Sequence, residues 1–319
     1  MFKTRFISML VLLAAVATGA MAQTTYKVSV KEGTEDASNW QGKAGEGEYQ
    51  ALPLEGVAAN TAVTVKYNGT KKVKSVKAKK KAAATDLSTI NANYTASNGE
   101  TLTGTLGANV QISIADGATV TLNNVTINGT NNSDYRWAGI TCEGDATIIL
   151  SGTNTVKGFY EEYPGIQAAA GKTLIINGTG SLTASSYGWG AGIGSVGRSV
   201  CGNIEIQSGT ITATGGEYAA GIGGGYNASW GNITISGGTV TATGGEEAAG
   251  IGGGRGNTNS SLSSCGTITI TTSVTNVTAT KGDDAPNSIG AGYLGTCGTV
   301  TIGGNEGAIT TSPYTYQPE

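Results

Sequence analysis

The sequence contains no histidine, and this absence excludes much of enzyme chemistry. Histidine is the usual general base near neutral pH, a frequent zinc ligand and the central member of serine and cysteine nucleophile arrangements. Charged residues make up only 13% of the chain and aromatic residues 6%. The composition therefore argues against histidine-dependent catalysis and against a compact core built from large side chains.

Long apolar segments are also missing after the N-terminus. Two early basic residues, the apolar run Met9–Val16 and the small-residue sequence Ala20-Met21-Ala22 form the three-part pattern of a cleavable secretory signal, which we assign to residues 1–22. The residue after the cleavage point is Gln23 rather than a lipid-modified cysteine, and no later stretch is apolar enough to span a bilayer. We expect a secreted protein without a transmembrane segment, located in the periplasm or at the cell surface.

Charge divides the rest of the chain into two parts. Residues 23–85 carry eleven lysines against six acids, whereas residues 86–319 carry six lysines and arginines against sixteen acids. Alternating apolar and polar residues predict strands in the first part, and we assign residues 23–81 to a small β-rich N-terminal module. The acidic second part argues against a nucleic-acid partner, because binding phosphates requires a basic face.

Glycine, with 52 residues, is the residue the chain has in excess. The sequence Ala220-Gly-Ile-Gly-Gly-Gly225 returns 29 residues later as Ala249-Gly-Ile-Gly-Gly-Gly254. Units repeated on this scale bury their apolar faces only by stacking on each other. We predict three short strands per turn and about seven turns over residues 82–310, followed by a C-terminal tail at residues 311–319.

Apolar residues at a spacing of two define the inward faces of these strands. The first strand contributes one column at Val120, Ile148, Leu174, Ile204, Ile233, Ile268 and Val300, and a second at Leu122, Leu150, Ile176, Ile206, Ile235, Ile270 and Ile302. The second strand contributes Val156, Leu182, Ile211, Val240 and Val277. The third contributes Ile112, Ile140, Ile166, Ile193, Ile222, Ile251 and Ile289.

The stretch from Leu102 to Gly304 contains these repeats and the sequence Ala138-Gly-Ile-Thr-Cys-Glu-Gly-Asp-Ala-Thr-Ile-Ile-Leu150. It resembles the right-handed parallel β-helix (pectin-lyase-like) secreted surface proteins of gut anaerobes, of the carbohydrate-binding-domain-containing type. The resemblance implies an all-β fold, a right-handed parallel β-helix preceded by the small β-rich module. It is specific for architecture and not for activity, because β-helices of this kind include lyases, hydrolases, adhesins and inert scaffolds.

Aromatic residues gather in the glycine-rich loops beside the third strand. Flat rings with polar tips, close to carboxylates, suit contact with sugar rings, whereas the alternative is that they pack over the loop ends. This argument, which rests partly on the resemblance, predicts a polysaccharide or glycan partner. The candidate carbohydrate-binding residues are Trp137, Tyr160, Tyr163, Trp189, Glu217, Tyr218, Tyr226, Trp230, Glu246 and Tyr293.

Three acidic residues, Glu217, Glu246 and Asp284, each lie five residues before a column isoleucine on consecutive predicted turns. Like charges at strand spacing either splay into water or share a cation. The pattern favours a solvated corner, with a weak Ca²⁺ site as the alternative. No other cofactor is predicted.

The sequence indicates no catalytic residue. Hydrolysis would require paired carboxylates, and elimination would require carboxylates holding Ca²⁺ beside an arginine or lysine base. Glu205 is the only acid at an outward position of the first strand, and Arg136, Arg198 and Arg255 all fall in loops. We therefore expect a non-enzymatic, polysaccharide-binding or adhesin-like surface protein. A structural spacer without a dedicated ligand is the alternative, and a divergent polysaccharide lyase is a weaker one.

Four cysteines in an exported chain suggest pairing. Cys265 and Cys297 occupy the same register on consecutive predicted turns, and the spacing between turns falls within the Cα separation of a disulfide. The sequence favours the disulfide Cys265–Cys297, with free thiols packed as small hydrophobic groups as the alternative.

Overall fold

A computed structural model describes residues 11–16, 25–30, 40–44, 48–51, 54–58, 63–67, 84–258 and 263–318. The chain divides into two compact units, Met1–Ala83 and Ala84–Glu319. Most of the predicted signal peptide lies outside the described residues. In the described part of the chain, no helix is long and apolar enough to cross a membrane.

The first unit consists of short antiparallel strands. They form two three-stranded sheets, β1-β2-β5 and β4-β3-β6. The strands are β1 Val11–Val16, β2 Thr25–Val30, β3 Trp40–Ala44, β4 Gln50–Ala51, β5 Leu54–Ala58 and β6 Val63–Tyr67. Strand β1 pairs with β2, so cleavage after Ala22 would remove one edge strand of the first sheet.

The second unit is a parallel β-helix, as predicted, with three strand faces in each turn. One face is an eight-stranded parallel sheet, here called the isoleucine sheet. Its strands are β8 Tyr94–Ala96, β10 Ile112–Ile114, β12 Ile140–Cys142, β15 Ile166–Gln167, β18 Ile193–Gly194, β21 Ile222–Gly223, β24 Ile251–Gly252 and β27 Ile289–Gly290.

The other two faces belong to one sixteen-stranded sheet. The long strand β11 Ala118–Ile127 joins them, since its first half pairs with β13 and its second half with β14. The second face contains β13 Ala146–Ser151, β16 Thr173–Gly178, β19 Asn203–Ile206, β22 Ile233–Ile235, β25 Ile268–Ile270 and β28 Val300–Ile302. The third face contains β14 Thr153–Lys157, β17 Ser181–Ser185, β20 Thr210–Thr214, β23 Thr239–Thr243 and β26 Asn276–Thr280.

In the described residues six turns, from Ile112 to Thr280, carry all three faces, which agrees with the prediction of about seven. The eighth strand of the isoleucine sheet, β27, is followed by β28, but the described residues after β28 contain no parallel third-face strand. At the opposite end, β7 Thr85–Asp86, a 3₁₀ turn at Leu87–Thr89 and β9 Thr101–Thr105 precede the first complete turn. The Leu87 side chain is fully buried there and contributes to the core.

The isoleucine column has the predicted register. Ile222 pairs with Ile193 on one side and with Ile251 on the other. All seven column isoleucines are 0% exposed, so each turn contributes a buried side chain that only its neighbours cover. Burying such a side chain contributes about 1.5–3 kcal/mol, which makes this column a main source of stability.

The predicted register on the second face is wrong by two residues at one step. Ile148 pairs with Ile176, and the partner of Leu174 is Ala146. The third face has the same shift, because Val156 pairs with Ala184 rather than with Leu182. Side chains alternate with a period of two, so a shift by two keeps the same side chains inside, and the apolar pattern could not reveal it.

A buried amide lies beside this shift. Asn154 faces the interior opposite Leu182 and is 0% exposed. Its Oδ1 accepts a hydrogen bond from the Val125 N–H (2.9 Å), and its Nδ2 donates to the carbonyl oxygens of Ser151 (3.1 Å) and Ser181 (3.0 Å). A buried amide is costly unless its polar atoms are bonded, and here these bonds link three successive turns.

Residues 311–319, predicted as a tail, include a strand that covers the last turn. Strand β30 Tyr314–Tyr316 pairs antiparallel with β26, and β29 Asn305–Glu306 pairs antiparallel with β28. Ile309 forms an antiparallel bridge with Ile289 of the isoleucine sheet. Each face therefore ends on an antiparallel partner instead of on an open edge, which protects the helix end against edge-to-edge association.

Cys265 and Cys297 form a disulfide between consecutive turns, with their Cα atoms 4.6 Å apart. Cys142 and Cys201 are buried free thiols. Burial raises the pKa of each to about 12, which makes them inert as nucleophiles near neutral pH.

We expect the disulfide to stabilise the C-terminal turns. Its two cysteines are 32 residues apart in sequence, and closing a loop of that length stabilises the native state by roughly 3–4 kcal/mol. Urea denaturation of the oxidised protein and of the double variant Cys265→Ala/Cys297→Ala measures this difference. Adding a reductant should destabilise the parent and leave the double variant unchanged, and equal sensitivity of both proteins would contradict the expectation.

Truncation tests the C-terminal cap. Deleting residues 311–319 removes β30 and leaves the N–H and C=O groups of the β26 edge unpaired, so we expect concentration-dependent association by light scattering. Deleting only residues 317–319, which follow β30, is the matched control and should behave like the full chain. Monodisperse behaviour of both truncations would show that the cap is dispensable.

Candidate functional site

Most predicted site residues lie in the loops that flank the isoleucine sheet. We call the loops before its strands the leading loops and the loops after them the trailing loops. On the last turns the leading loops are residues 186–192, 215–221, 244–250 and 281–288. The trailing loops are residues 195–202, 224–232, 253–258 with 263–267, and 291–299. Because consecutive isoleucine strands pair in register, loops of the same kind lie next to each other on neighbouring turns.

One aromatic ring from these loops, that of Tyr226, contacts two others. Trp189 and Tyr218 lie on successive leading loops, and Tyr226 lies on a trailing loop. The ring centroid of Tyr226 is 5.5 Å from that of Trp189 and 6.0 Å from that of Tyr218. A backbone hydrogen bond from Tyr226 N–H to the Trp189 carbonyl (2.9 Å) holds the two kinds of loop together.

Two arginines of the trailing loops lie over these rings. The Arg198 guanidinium carbon is 4.5 Å from the Trp189 centroid and 5.5 Å from that of Tyr226, and the Arg255 guanidinium carbon is 4.9 Å from the Tyr218 centroid. Such contacts contribute about 0.5–1 kcal/mol each at exposed positions. We call Trp189, Tyr218, Tyr226, Arg198 and Arg255 the aromatic–arginine surface. A ligand there meets guanidinium and ring edges together rather than bare ring faces.

The two arginines differ in their charge partners. Arg255 Nε lies 2.8 Å from Glu247 Oε2, so the two side chains form an ion pair. The geometry between these two atoms is not that of a hydrogen bond. Among the described residues, no carboxylate lies within 4.0 Å of the exposed Arg198 guanidinium. Arg198 therefore keeps an uncompensated positive charge on a largely acidic domain.

The line of acidic residues has a different third member from the one predicted. Gly216, Gly245 and Gly282 stack directly on consecutive turns. A Cβ atom added to Gly245 would lie 2.0 Å from the carbonyl oxygen of Gly216, and a Cβ atom added to Gly282 would lie 1.7 Å from the carbonyl oxygen of Gly245. The residues that follow them, here called the acidic line, are Glu217, Glu246 and Asp283. Asp284 instead corresponds to Glu247, and both have φ of +58°. The last leading loop is one residue longer, which is why sequence spacing selected Asp284.

All of these carboxylates except Glu247 are exposed. In the part of the chain that the structure describes, no group of three or more histidine, cysteine, aspartate or glutamate side chains is placed to hold a metal ion. The neighbouring Glu217 carboxylate raises the pKa of the Tyr218 hydroxyl, with a further contribution from Glu246. The Tyr218 hydroxyl therefore stays protonated well above neutral pH and keeps its hydrogen-bond donor.

Three further candidates belong to a separate group on earlier turns. The half-buried Trp137 ring packs against Phe159, with centroids 5.8 Å apart, and Arg136 lies over the Tyr160 ring at 5.4 Å. Tyr163, three residues after Tyr160, is half-buried, and this burial raises the pKa of its hydroxyl. No ring contact joins this group to Trp189 among the described residues.

The last two aromatic candidates have opposite exposures. Trp230 is only 5% exposed, and its ring fills the space beside Gly224 and Gly253, so it belongs to the core and leaves no face for a sugar. Tyr293 is 42% exposed and its N–H donates to the Glu247 carbonyl (2.8 Å), which places it one turn beyond Arg255. Gly253 belongs to the next turn, so the space that these glycines leave for the indole exists only in the folded chain.

The structure also assigns partners that the sequence did not indicate. From sequence, Arg198 and Arg255 have no role beyond that of the base a lyase would need, yet both lie over rings of candidate aromatic residues. Lys157 Nζ lies 3.6 Å from the Tyr187 ring centroid, and the Tyr187 hydroxyl donates to the Gly129 carbonyl (2.6 Å). Four of the six lysines and arginines after residue 85 thus lie over aromatic rings.

Comparison with known proteins agrees with the architecture. Residues 174–198, 204–226 and 233–255 match the family model described as a beta helix repeat. No curated protein and no solved structure matches the chain. The three matched segments contain all five residues of the aromatic–arginine surface.

Proposed function

We propose that this protein is an exported, non-enzymatic glycan-binding protein of the cell surface or periplasm, and that the aromatic–arginine surface is its binding site. One observation carries the proposal: three partly exposed aromatic rings and two arginines from successive turns form one continuous surface. Export is inferred from the N-terminal sequence pattern, and glycans are inferred from the chemistry of the surface.

The arrangement suits an extended sugar chain. Consecutive turns are spaced by about 4.8 Å, so equivalent side chains on neighbouring loops present contacts along the helix axis at intervals shorter than a sugar ring with its linkage. Ring edges of Trp189 and Tyr226 supply apolar contact, and the Tyr218 hydroxyl and the Arg198 guanidinium supply donors. Glu217 and Glu246 supply acceptors for sugar hydroxyl groups. The backbone that carries these groups belongs to paired strands, which keeps them pre-positioned.

The same geometry supports a binding rather than a catalytic role. Elimination would need a free basic group beside carboxylates that share a metal ion. Arg255 is paired with Glu247 at 2.8 Å, and Arg198, although unpaired, has no carboxylate within 4.0 Å among the described residues. Glu205, the acid on the second face, accepts a hydrogen bond from Gln207 Nε2 (3.4 Å) and lies between the uncharged residues Ile175 and Thr234. Polysaccharide lyase activity would appear as ultraviolet absorbance of unsaturated sugar products, and we expect none.

Two tyrosine variants test the site. Tyr226→Ala removes the ring that joins Trp189 to Tyr218, and we expect it to weaken glycan binding at least tenfold, a loss of about 1.4 kcal/mol or more. Tyr160→Ala is the matched control, since Tyr160 is also a half-buried tyrosine beneath an arginine but lies outside the surface. A glycan array identifies ligands of the parent protein, and calorimetry on the best ligand compares the variants.

Unchanged melting temperatures would show that both variants fold. Equal losses in the two variants would place binding elsewhere, and the absence of binding by the parent to every glycan class would favour a structural spacer.

A further inference from the structure

We infer that Arg198 recognises an acidic group on a glycan that carries such groups sparsely: one carboxylate or sulfate on an otherwise neutral chain. This inference rests on the proposed function and specifies its ligand class. It depends on three features of the site: a stacked guanidinium without a carboxylate partner, a backbone that fixes it, and a gap of one turn in the surrounding line of acids.

The guanidinium of Arg198 is oriented but not neutralised. Its guanidinium carbon lies over the Trp189 ring, 4.5 Å from the centroid, and no described carboxylate is within 4.0 Å. No side-chain hydrogen bond to a described protein acceptor uses its N–H groups. A planar guanidinium with a free edge binds carboxylates and sulfates through two parallel hydrogen bonds.

Arg255 shows what a structural arginine looks like in the same surface. It also stacks on a ring, at 4.9 Å from Tyr218, but Glu247 lies 2.8 Å away and satisfies its charge. The Arg255 side chain is about one third exposed, whereas Arg198 is exposed to solvent. The contrast leaves Arg198 as the arginine of this surface that is free to bind an anion.

The backbone also positions Arg198. Its φ is +60°, in the left-handed region that glycine adopts more readily, and its N–H donates to the Tyr226 carbonyl (2.7 Å). Because the loop and the ring both restrict the side chain, less conformational entropy is lost when an anion binds.

Acids on the neighbouring turns restrict where an anion can lie. The position of Glu217 corresponds to Gly188 on the preceding turn, since the Tyr218 N–H donates to the Gly188 carbonyl (3.2 Å). Glu161 lies below Gly188, where a Cβ would be 3.0 Å from the Glu161 Cβ. Acids thus occupy this position on the turns before and after, at Glu161 and Glu217, and glycine replaces the acid on the turn where Arg198 lies over Trp189. A polymer with a carboxylate on every sugar would meet Glu161, Glu217 and Glu246, and like charges at this spacing repel.

Matched glycans test the inference. The probes are an array of neutral oligosaccharides, the same oligosaccharides bearing one sialic acid or one sulfate, and homogalacturonan oligomers. We expect the singly acidic members to bind best, at least tenfold more tightly than their neutral parents. The two acidic series distinguish carboxylate from sulfate as the group recognised.

Variants at position 198 separate recognition from folding. Arg198→Gln should abolish the preference, so that this variant binds acidic members no more tightly than their neutral parents, and Arg198→Lys should keep only part of the preference because an ammonium lacks the planar pair of donors. Glycine adopts the positive φ of residue 198 readily, so the Arg198→Gly variant should have a melting temperature no lower than that of the parent protein. It should nevertheless lose the preference for acidic glycans. Arg136→Gln is the control for loss of a ring-stacked arginine elsewhere.

Each outcome decides between the two proposals. Equal binding of neutral and acidic members, strongest binding to homogalacturonan, or an Arg198→Gln variant with an unchanged preference would overturn the role of Arg198 and leave glycan binding intact. Failure of every probe to bind would overturn both.

Discussion

Stacking of one turn on the next is the constraint on which the rest of this structure depends. Each turn is too short to enclose a core, and its isoleucine is buried only because equivalent residues lie above and below it. The close approach of backbones at the corners requires glycine, since a Cβ on Gly245 would overlap the carbonyl of Gly216. The excess of glycine and the scarcity of large side chains are therefore two consequences of one geometry.

The same stacking creates the candidate site. Leading and trailing loops are not part of the apolar columns, so their residues vary from turn to turn while their backbones stay in register. Trp189 and Tyr218 come together because they occupy equivalent places on adjacent turns, and hydrogen bonds between loops bring Tyr226 beside them. The charged residues follow the same stacking. Exposed acids occupy equivalent positions on successive turns, except on the turn of Gly188, where the unpaired guanidinium of Arg198 lies over Trp189.

Particular residues show where sequence reasoning succeeded and where it failed. The isoleucine column followed from a regular spacing, and the pairing of Ile222 with Ile251 confirmed it. The predicted partner of Ile148 is wrong by two residues, because side chains alternate along a strand with a period of two and a shift of two leaves the apolar pattern unchanged. Asp283 replaced Asp284 because a single extra residue in one loop leaves no mark on the apolar pattern.

The sequence by itself determined the β-helix, its inward-facing columns and the loops in which polar and aromatic residues collect, because all of these follow from local periodicity repeated along the chain. Only the tertiary structure decided which loop side chains meet. It buried Trp230, stacked Arg198 on Trp189, neutralised Arg255 with Glu247 and turned the last residues into a cap. Those contacts depend on how loops fold back across the isoleucine sheet, and no repeat spacing encodes the direction in which an irregular loop turns.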